Sequence, residues 1–177
     1  MHISNSLLAE NKAYAYGYYA SSYGAAVYNN DGTLTIDNST LFGNVTRATS
    51  YYTNPGSGVI YETVQGGAVY NTGNSGNFVL TNSTVVNNSL ATYMYKENCF
   101  TASGAGIYSG RGSFLSVNSI IAANSLNTTS TNTANSIGGN AAVFVSTIYD
   151  SADVTPAGIS KDNHETTETG LSVSSMF

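Results

Sequence analysis

Ten carboxylates, two histidines, one cysteine and fourteen tyrosines are the side chains with the widest chemical reach in this chain. Paired acids come first. A glycoside hydrolase needs two carboxyl groups facing one cleft, and a lyase of the pectate type needs calcium-binding carboxylates beside a basic residue. Asp37 lies in an alternating, strand-like stretch, but Thr81 stands at the equivalent place in the next repeat. Asp31 sits in an Asn-Asp-Gly turn, and Glu10 precedes an Asn corner. Each reads as a solvated turn acid. The clusters Asp150-Ser151-Ala152-Asp153 and Asp162-Asn163-His164-Glu165 have neither the spacing nor the glycine of a calcium loop. His164 has no Ser or Cys partner placed by a motif, so a catalytic triad is not indicated. Cys99, in Lys96-Glu97-Asn98-Cys99, reads as an incidental thiol. The expectation is no catalytic residue, no metal ligand and no cofactor.

The tyrosines are different, because they cluster. Tyr14, Tyr16, Tyr18, Tyr19 and Tyr23 fall in one stretch, Tyr51, Tyr52 and Tyr61 in a second, and Tyr93 and Tyr95 in a third. A tyrosine offers a large rigid ring and a hydroxyl, which suits sugars and protein surfaces. Whether these rings share a surface depends on the elements that carry them.

Those elements repeat. Gly24-Ala25-Ala26-Val27-Tyr28-Asn29 recurs as Gly66-Gly67-Ala68-Val69-Tyr70-Asn71 and as Gly104-Ala105-Gly106-Ile107-Tyr108-Ser109, at offsets of 42 and 38 residues. A second motif follows each copy: Asn38-Ser39-Thr40-Leu41-Phe42-Gly43-Asn44, Asn82-Ser83-Thr84-Val85-Val86-Asn87-Asn88 and Asn118-Ser119-Ile120-Ile121-Ala122-Ala123-Asn124. Asn5-Ser6-Leu7-Leu8-Ala9-Glu10-Asn11 opens the chain with a further copy. Between the motifs lie alternating strands such as Thr33-Leu34-Thr35-Ile36, whose Leu34 and Ile36 share one face. No single repeat can bury its apolar face, but stacked repeats bury a continuous column. Val27, Val69 and Ile107 should form one inward stack, and Leu8, Leu41, Val85 and Ile121 another. Asn11, Asn44, Asn88 and Asn124 should pile up at a corner, with their amides bonded along the axis and their backbones in the left-handed region that Asn tolerates. Gly24, Gly66 and Gly104 suit a second tight corner. Thr35 aligns with Val79 and Ser116, so no threonine ladder of the ice-binding kind is present.

On this reading the coil is the segment from Gly24 to Asn44, and the rest of each period is insertion: residues 12–23, 45–65 and 89–103. Insertions of a solenoid gather on one side. Tyr18, Tyr19, Tyr23, Tyr51, Tyr52, Tyr61, Tyr93 and Tyr95 would then form an aromatic edge. They would either bind a ligand, or pack on each other and cover the solenoid flank, or extend its sheet.

Composition agrees. Only 8 % of residues are charged, against about 25 % in an average soluble domain, so the polar surface must come from Asn, Ser, Thr, Tyr and Gly, which favour turns and strands. Net charge is −5 with five scattered cations, Lys12, Arg47, Lys96, Arg111 and Lys161. That is too little basic surface for nucleic acid or anionic lipid. A single cysteine leaves no intrachain disulfide, and no apolar run reaches the length of a membrane helix. Asn38, Asn44, Asn82 and Asn127 open Asn-x-Ser/Thr triplets that read as by-products of the stacking pattern.

The Gly-Gly-Ala-Val and Asn-Ser-Thr segments resemble the repeats of polymorphic outer membrane proteins, and more broadly those of bacterial surface parallel β-helices. The family's Phe-x-x-Asn has Leu8, Leu41, Val85 and Ile121 in place of Phe. The resemblance covers about residues 3–150. It implies a right-handed, single-stranded parallel β-helix of about five coils, in one domain over 1–177. It further implies a non-catalytic adhesive segment, extracellular or at the bacterial cell surface, that contacts carbohydrate or a host or environmental surface protein. A polysaccharide lyase or hydrolase is the alternative. The opening at Met1-His2-Ile3-Ser4, in mid-repeat, suggests a fragment of a larger protein whose open ends self-associate.

Overall fold

The computed structural model describes residues 1–50, 62–94, 100–128, 136–139, 142–150, 160–161 and 166–168. Among them there is no helix. Strands form five sheets, and every pairing between neighbours is parallel. The first sheet runs β1 (His2–Ser4), β6 (Leu34–Asp37), β11 (Phe78–Thr81), β16 (Phe114–Val117), β20 (Ala142–Val145) and β22 (Ser160–Lys161). The second runs β2 (Leu7–Ala9), β7 (Thr40–Phe42), β12 (Thr84–Val86), β17 (Ile120–Ala122), β21 (Ile148–Asp150) and β23 (Thr166–Glu168). The third holds β3 (Lys12–Gly17), β8 (Val45–Ser50), β13 (Ser89–Met94) and β18 (Ser125–Thr128). The fourth is β4 (Ser21–Tyr23), β9 (Glu62–Gln65) and β14 (Phe100–Ser103), and the fifth is β5 (Val27–Asn30), β10 (Val69–Thr72), β15 (Ile107–Ser109) and β19 (Ile137–Gly139). This order is consistent with a parallel β-helix, or solenoid, in which each repeat lays one strand on each sheet.

The expected stacks are in register. Val27 pairs with Val69 and Val69 with Ile107, all buried. Leu8, Leu41, Val85 and Ile121 follow one another in the second sheet. Leu34, Phe78 and Phe114 align in the first, and the two phenylalanine rings stack at 4.8 Å. Each fully buried side chain of this size contributes about 1.5–3 kcal/mol. Where the column breaks, a polar pair fills it: buried Ser116 bonds its hydroxyl to that of Thr147 at 3.1 Å.

The segments 12–23, 45–65 and 89–103 are not excursions from a 21-residue coil, as far as they are described. They carry β3 and β4, β8 and β9, and β13 and β14, paired residue by residue into two further sheets. Most of their inward positions are small or polar, which hid them in the sequence, yet with Val64 and Leu90 they close a second core that also holds Ala20, Ala48 and Ala105. Ser50 Oγ and Thr92 Oγ1 are buried without a hydrogen-bond partner, but Thr46 Oγ1 donates to Gly66 O at 2.8 Å and Ser22 Oγ to Ala13 O at 2.9 Å. Such partners remove the cost of burying a hydroxyl.

Corners with left-handed residues turn the chain between sheets. Between the first and second sheets the left-handed residue is Asn5, Asn38, Asn82, Asn118 or Ser146; between the second and third it is Glu10, Gly43, Asn87 or Ala123. The expectation that Asn11, Asn44, Asn88 and Asn124 themselves take the left-handed backbone is therefore corrected by one position. The residue before each makes the turn, which frees the Asn to aim its amide along the axis. There Asn11, Asn44 and Asn88 each donate from both Nδ2 and backbone N to the Oδ1 of the next, at 2.8–3.0 Å. Gly66, at φ 68°, marks the corner into the fifth sheet; a Cβ there would lie 2.2 Å from Val69 O, so only glycine fits.

Candidate functional site

Strand parity decides which tyrosines reach solvent. On the third sheet the outward positions are Lys12, Tyr14 and Tyr16 on β3, and Val45, Arg47 and Thr49 on β8. On β13 they are Ser89, Ala91 and Tyr93, and on β18 Ser125 and Asn127. Tyr14, Tyr16 and Tyr93 are 46 %, 63 % and 47 % exposed. At their centre lies Arg47, whose guanidinium carbon is 4.1 Å from the Tyr93 ring centroid and 5.8 Å from that of Tyr14. Its Nε donates to Thr49 Oγ1 at 3.2 Å. Such contacts restrain the side chain.

Of the residues expected in one aromatic edge, Tyr93 lies on this face, and Tyr18 and Tyr19 are exposed just beyond β3. Tyr23 belongs elsewhere. It ends β4 and packs on the fifth sheet, 4.7 Å from Tyr70 and 6.4 Å from Tyr28 by ring centroids. Tyr51, Tyr52, Tyr61 and Tyr95 lie outside the described residues. The described tyrosines thus divide between two surfaces, because the fourth sheet separates the third from the fifth.

The fifth sheet carries a column that the sequence reading left unassigned: Tyr28, Tyr70 and Tyr108, in register and stacked at 5.2 and 5.3 Å. The signal was there, since each follows an inward aliphatic residue and must point outward. In this column the rings cover one another's faces and offer solvent their edges and hydroxyls. Burial, together with the neighbouring phenols Tyr23, Tyr108 and Tyr28, pushes the Tyr70 hydroxyl above its ordinary pKa, against a hydrogen bond with Thr72. The column suits sheet reinforcement better than capture of a sugar face.

A third feature is a groove of about 270 Å³ beside the first corner. Asn82, Asn118 and Ser146 line it together with Thr84, Ile120 and Ile148. It opens where the short Ser146 replaces the corner asparagine. The two Asn amides are partly spent on each other, Asn118 Nδ2 donating to Asn82 Oδ1 at 2.8 Å.

The acids do not assemble. Asp37 accepts from Thr81 Oγ1 at 2.7 Å and from Asn82 Nδ2 at 3.2 Å. These bonds, Thr81 first, hold its carboxyl below the ordinary range. Asp31 accepts the Ser75 backbone N–H at 3.3 Å, and Glu10 sits at its left-handed corner. Glu62, passed over in the sequence, is buried and takes the Ser50 N–H on Oε1, while its Oε2 has no hydrogen-bond partner. Among the described residues no three His, Cys, Asp or Glu side chains lie close enough to hold a metal. Cys99, Asp153, Asp162, His164 and Glu165 lie outside the described residues, as does the side chain of Asp150.

Fold and surface together define an all-β protein of stacked parallel strands with aromatic outer faces. Comparison with known proteins finds no matching family model, no similar curated protein and no similar solved structure.

Proposed function

We propose that this chain is a non-catalytic, adhesive segment of a secreted or cell-surface bacterial protein, built as a right-handed, single-stranded parallel β-helix of about five coils. Parallel crossover connections are right-handed in about 98 % of cases, which supports the hand. The resemblance to polymorphic outer membrane protein repeats supports the surface location. The observation that carries the function is the outer face of the third sheet, where exposed Tyr14, Tyr16 and Tyr93 surround Arg47 on a rigid platform. Rigid aromatic anchors bind with little loss of conformational entropy. The target is carbohydrate or a surface protein, held by contact and released unchanged.

The test is retention of the purified chain on a panel of immobilised glycans and surface proteins. Binding should fall at least tenfold when Tyr14, Tyr16 and Tyr93 are all changed to Ala. A reducing-sugar assay with calcium runs in parallel. Turnover of a bound polysaccharide that is lost in Asp37→Ala would overturn the adhesive reading in favour of a degrading enzyme.

A further inference from the structure

We propose that the outer face of the third sheet binds a uronate polysaccharide, a sugar polymer with about one carboxylate per residue. The inference deepens the adhesive reading above and rests on it.

Charge gives the first argument. The chain has ten acids against five bases. Yet the outward positions of β3, β8, β13 and β18 hold Lys12 and Arg47 and not one Asp or Glu. Lys12 pairs with Val45, two residues before Arg47, so strand spacing and rise put their Cα atoms about 8 Å apart. The nearest acid in sequence, Glu10, is exposed at the left-handed corner that precedes β3 and is not on the face itself. In an acidic molecule this face is a local cationic island, and an anionic ligand that docks elsewhere meets repulsion.

The state of Arg47 gives the second. Its Nε is taken by Thr49 and its plane is held between Tyr14 and Tyr93, and no carboxylate pairs with it among the described residues. A guanidinium stacked in place offers its remaining N–H fork with little further loss of freedom, and a planar carboxylate matches that fork with two parallel bonds.

Shape gives the third. Tyr16, Tyr14 and Tyr93 present apolar ring surface around the cations, to which the C–H face of a pyranose can pack. The rungs repeat at about 4.8 Å, close to the length of one sugar unit, so a chain laid along the axis meets the face at successive residues. A polymer gains by avidity what each weak site lacks.

The experiment titrates the full chain with polygalacturonate, with heparin, with neutral dextran and with a single-stranded oligonucleotide, at low and at physiological salt. Polygalacturonate should bind best and weaken several-fold with added salt. Arg47→Gln should lower its affinity about tenfold and Arg47→Lys nearly as much, because Lys lacks the fork. Lys12→Gln, at an exposed position, should lower it about threefold. Near-UV circular dichroism confirms that each variant is folded. Polygalacturonate affinity unchanged in both Arg47→Gln and Lys12→Gln overturns the proposal. So does tighter binding of heparin or of the oligonucleotide, since either marks a generic polyanion surface. Binding of dextran equal to that of polygalacturonate overturns the uronate assignment and leaves the adhesive reading standing. Failure of every glycan and protein on the wider panel removes both.

Discussion

Removing one amide from the middle of the asparagine ladder should cost far more than removing one from its first rung. Asn88 is fully buried, and its Oδ1 accepts from Asn44 N at 3.0 Å and Asn44 Nδ2 at 2.8 Å. Its Nδ2 donates to Asn124 Oδ1 at 2.9 Å, Leu41 O at 3.0 Å and Val86 O at 3.1 Å. In Asn88→Ala, Asn44 Nδ2 keeps Leu8 O and Asn124 Oδ1 keeps the Asn88 backbone N–H. The Asn44 backbone N–H loses its acceptor inside the protein. An orphaned buried donor costs about 1–3 kcal/mol and each net hydrogen bond about 0.5–1.5 kcal/mol; the two Nδ2 hydrogens of Asn88 count as two such bonds, so the total is about 2–6 kcal/mol. Asn11 is exposed and its side chain donates only to Asn44 Oδ1, which keeps the Asn11 backbone N–H. Asn11→Ala should therefore cost under about 1 kcal/mol. Urea unfolding followed by far-UV circular dichroism separates the two. With a slope of about 2 kcal/mol per molar, Asn88→Ala should lower the midpoint by about 2 M. Equal midpoints for the two variants, or a shift under about 0.5 M for Asn88→Ala, would refute the view that these amides hold the rungs in register.

Three further outcomes follow from the geometry. Gly66→Ala should lose at least about 2 kcal/mol, because its Cβ meets Val69 O. Gly43→Asn, also at positive φ but with nothing nearer than the Glu10 side chain at 3.6 Å, should stay within about 1 kcal/mol in the same urea assay. Phe114→Ala, in the stacked column, should cost about 3–5 kcal/mol and lower the melting temperature well beyond Leu115→Ala, whose side chain is half-buried on the outer face. Asp37 has a depressed native pKa, so its carboxylate adds stability above the ordinary value of 3.8, and that part is lost as pH falls through the lower native value. Asp37→Asn should accordingly shrink the drop in melting temperature between pH 7 and pH 3, as read by calorimetry.

The parts of the fold written in identical, evenly spaced side chains were legible in the sequence. Val27, Val69 and Ile107, the Leu41 column and the four ladder asparagines all announce stacking, since like residues at like offsets must meet their copies. The third and fourth sheets were not legible, for a physical reason. Their interior is lined mostly with Ala13, Ala15, Thr46, Ala48 and Ser22, with Val64 and Leu90 as the larger members, and Thr46 and Ser22 are satisfied by carbonyls that no sequence reveals. Their outward tyrosines then looked like loop decoration. The aromatic surface was half legible for the same reason. The clustering of tyrosines marks Tyr93 in the sequence, but nothing marks Arg47, because its place between two rings follows only from the register that sets it beside Tyr14. The position of Tyr23 against Tyr70, past the end of the same cluster, is likewise a matter of the Gly24 corner.

The asparagine file has one consequence that reaches past any single rung. Every amide in it points the same way, nitrogen toward the next oxygen from Asn11 through Asn44 and Asn88 to Asn124. The serines beside it keep the same sense, with Ser6, Ser39 and Ser83 each giving a backbone N–H to the hydroxyl oxygen of the next. The dipoles therefore add, and the column is a one-way street. Whatever is laid against Asn11 must arrive with donors, so two molecules meeting by that same face would set acceptor against acceptor. Growth of the column, by further chain or by another copy, is thereby restricted to head-to-tail order.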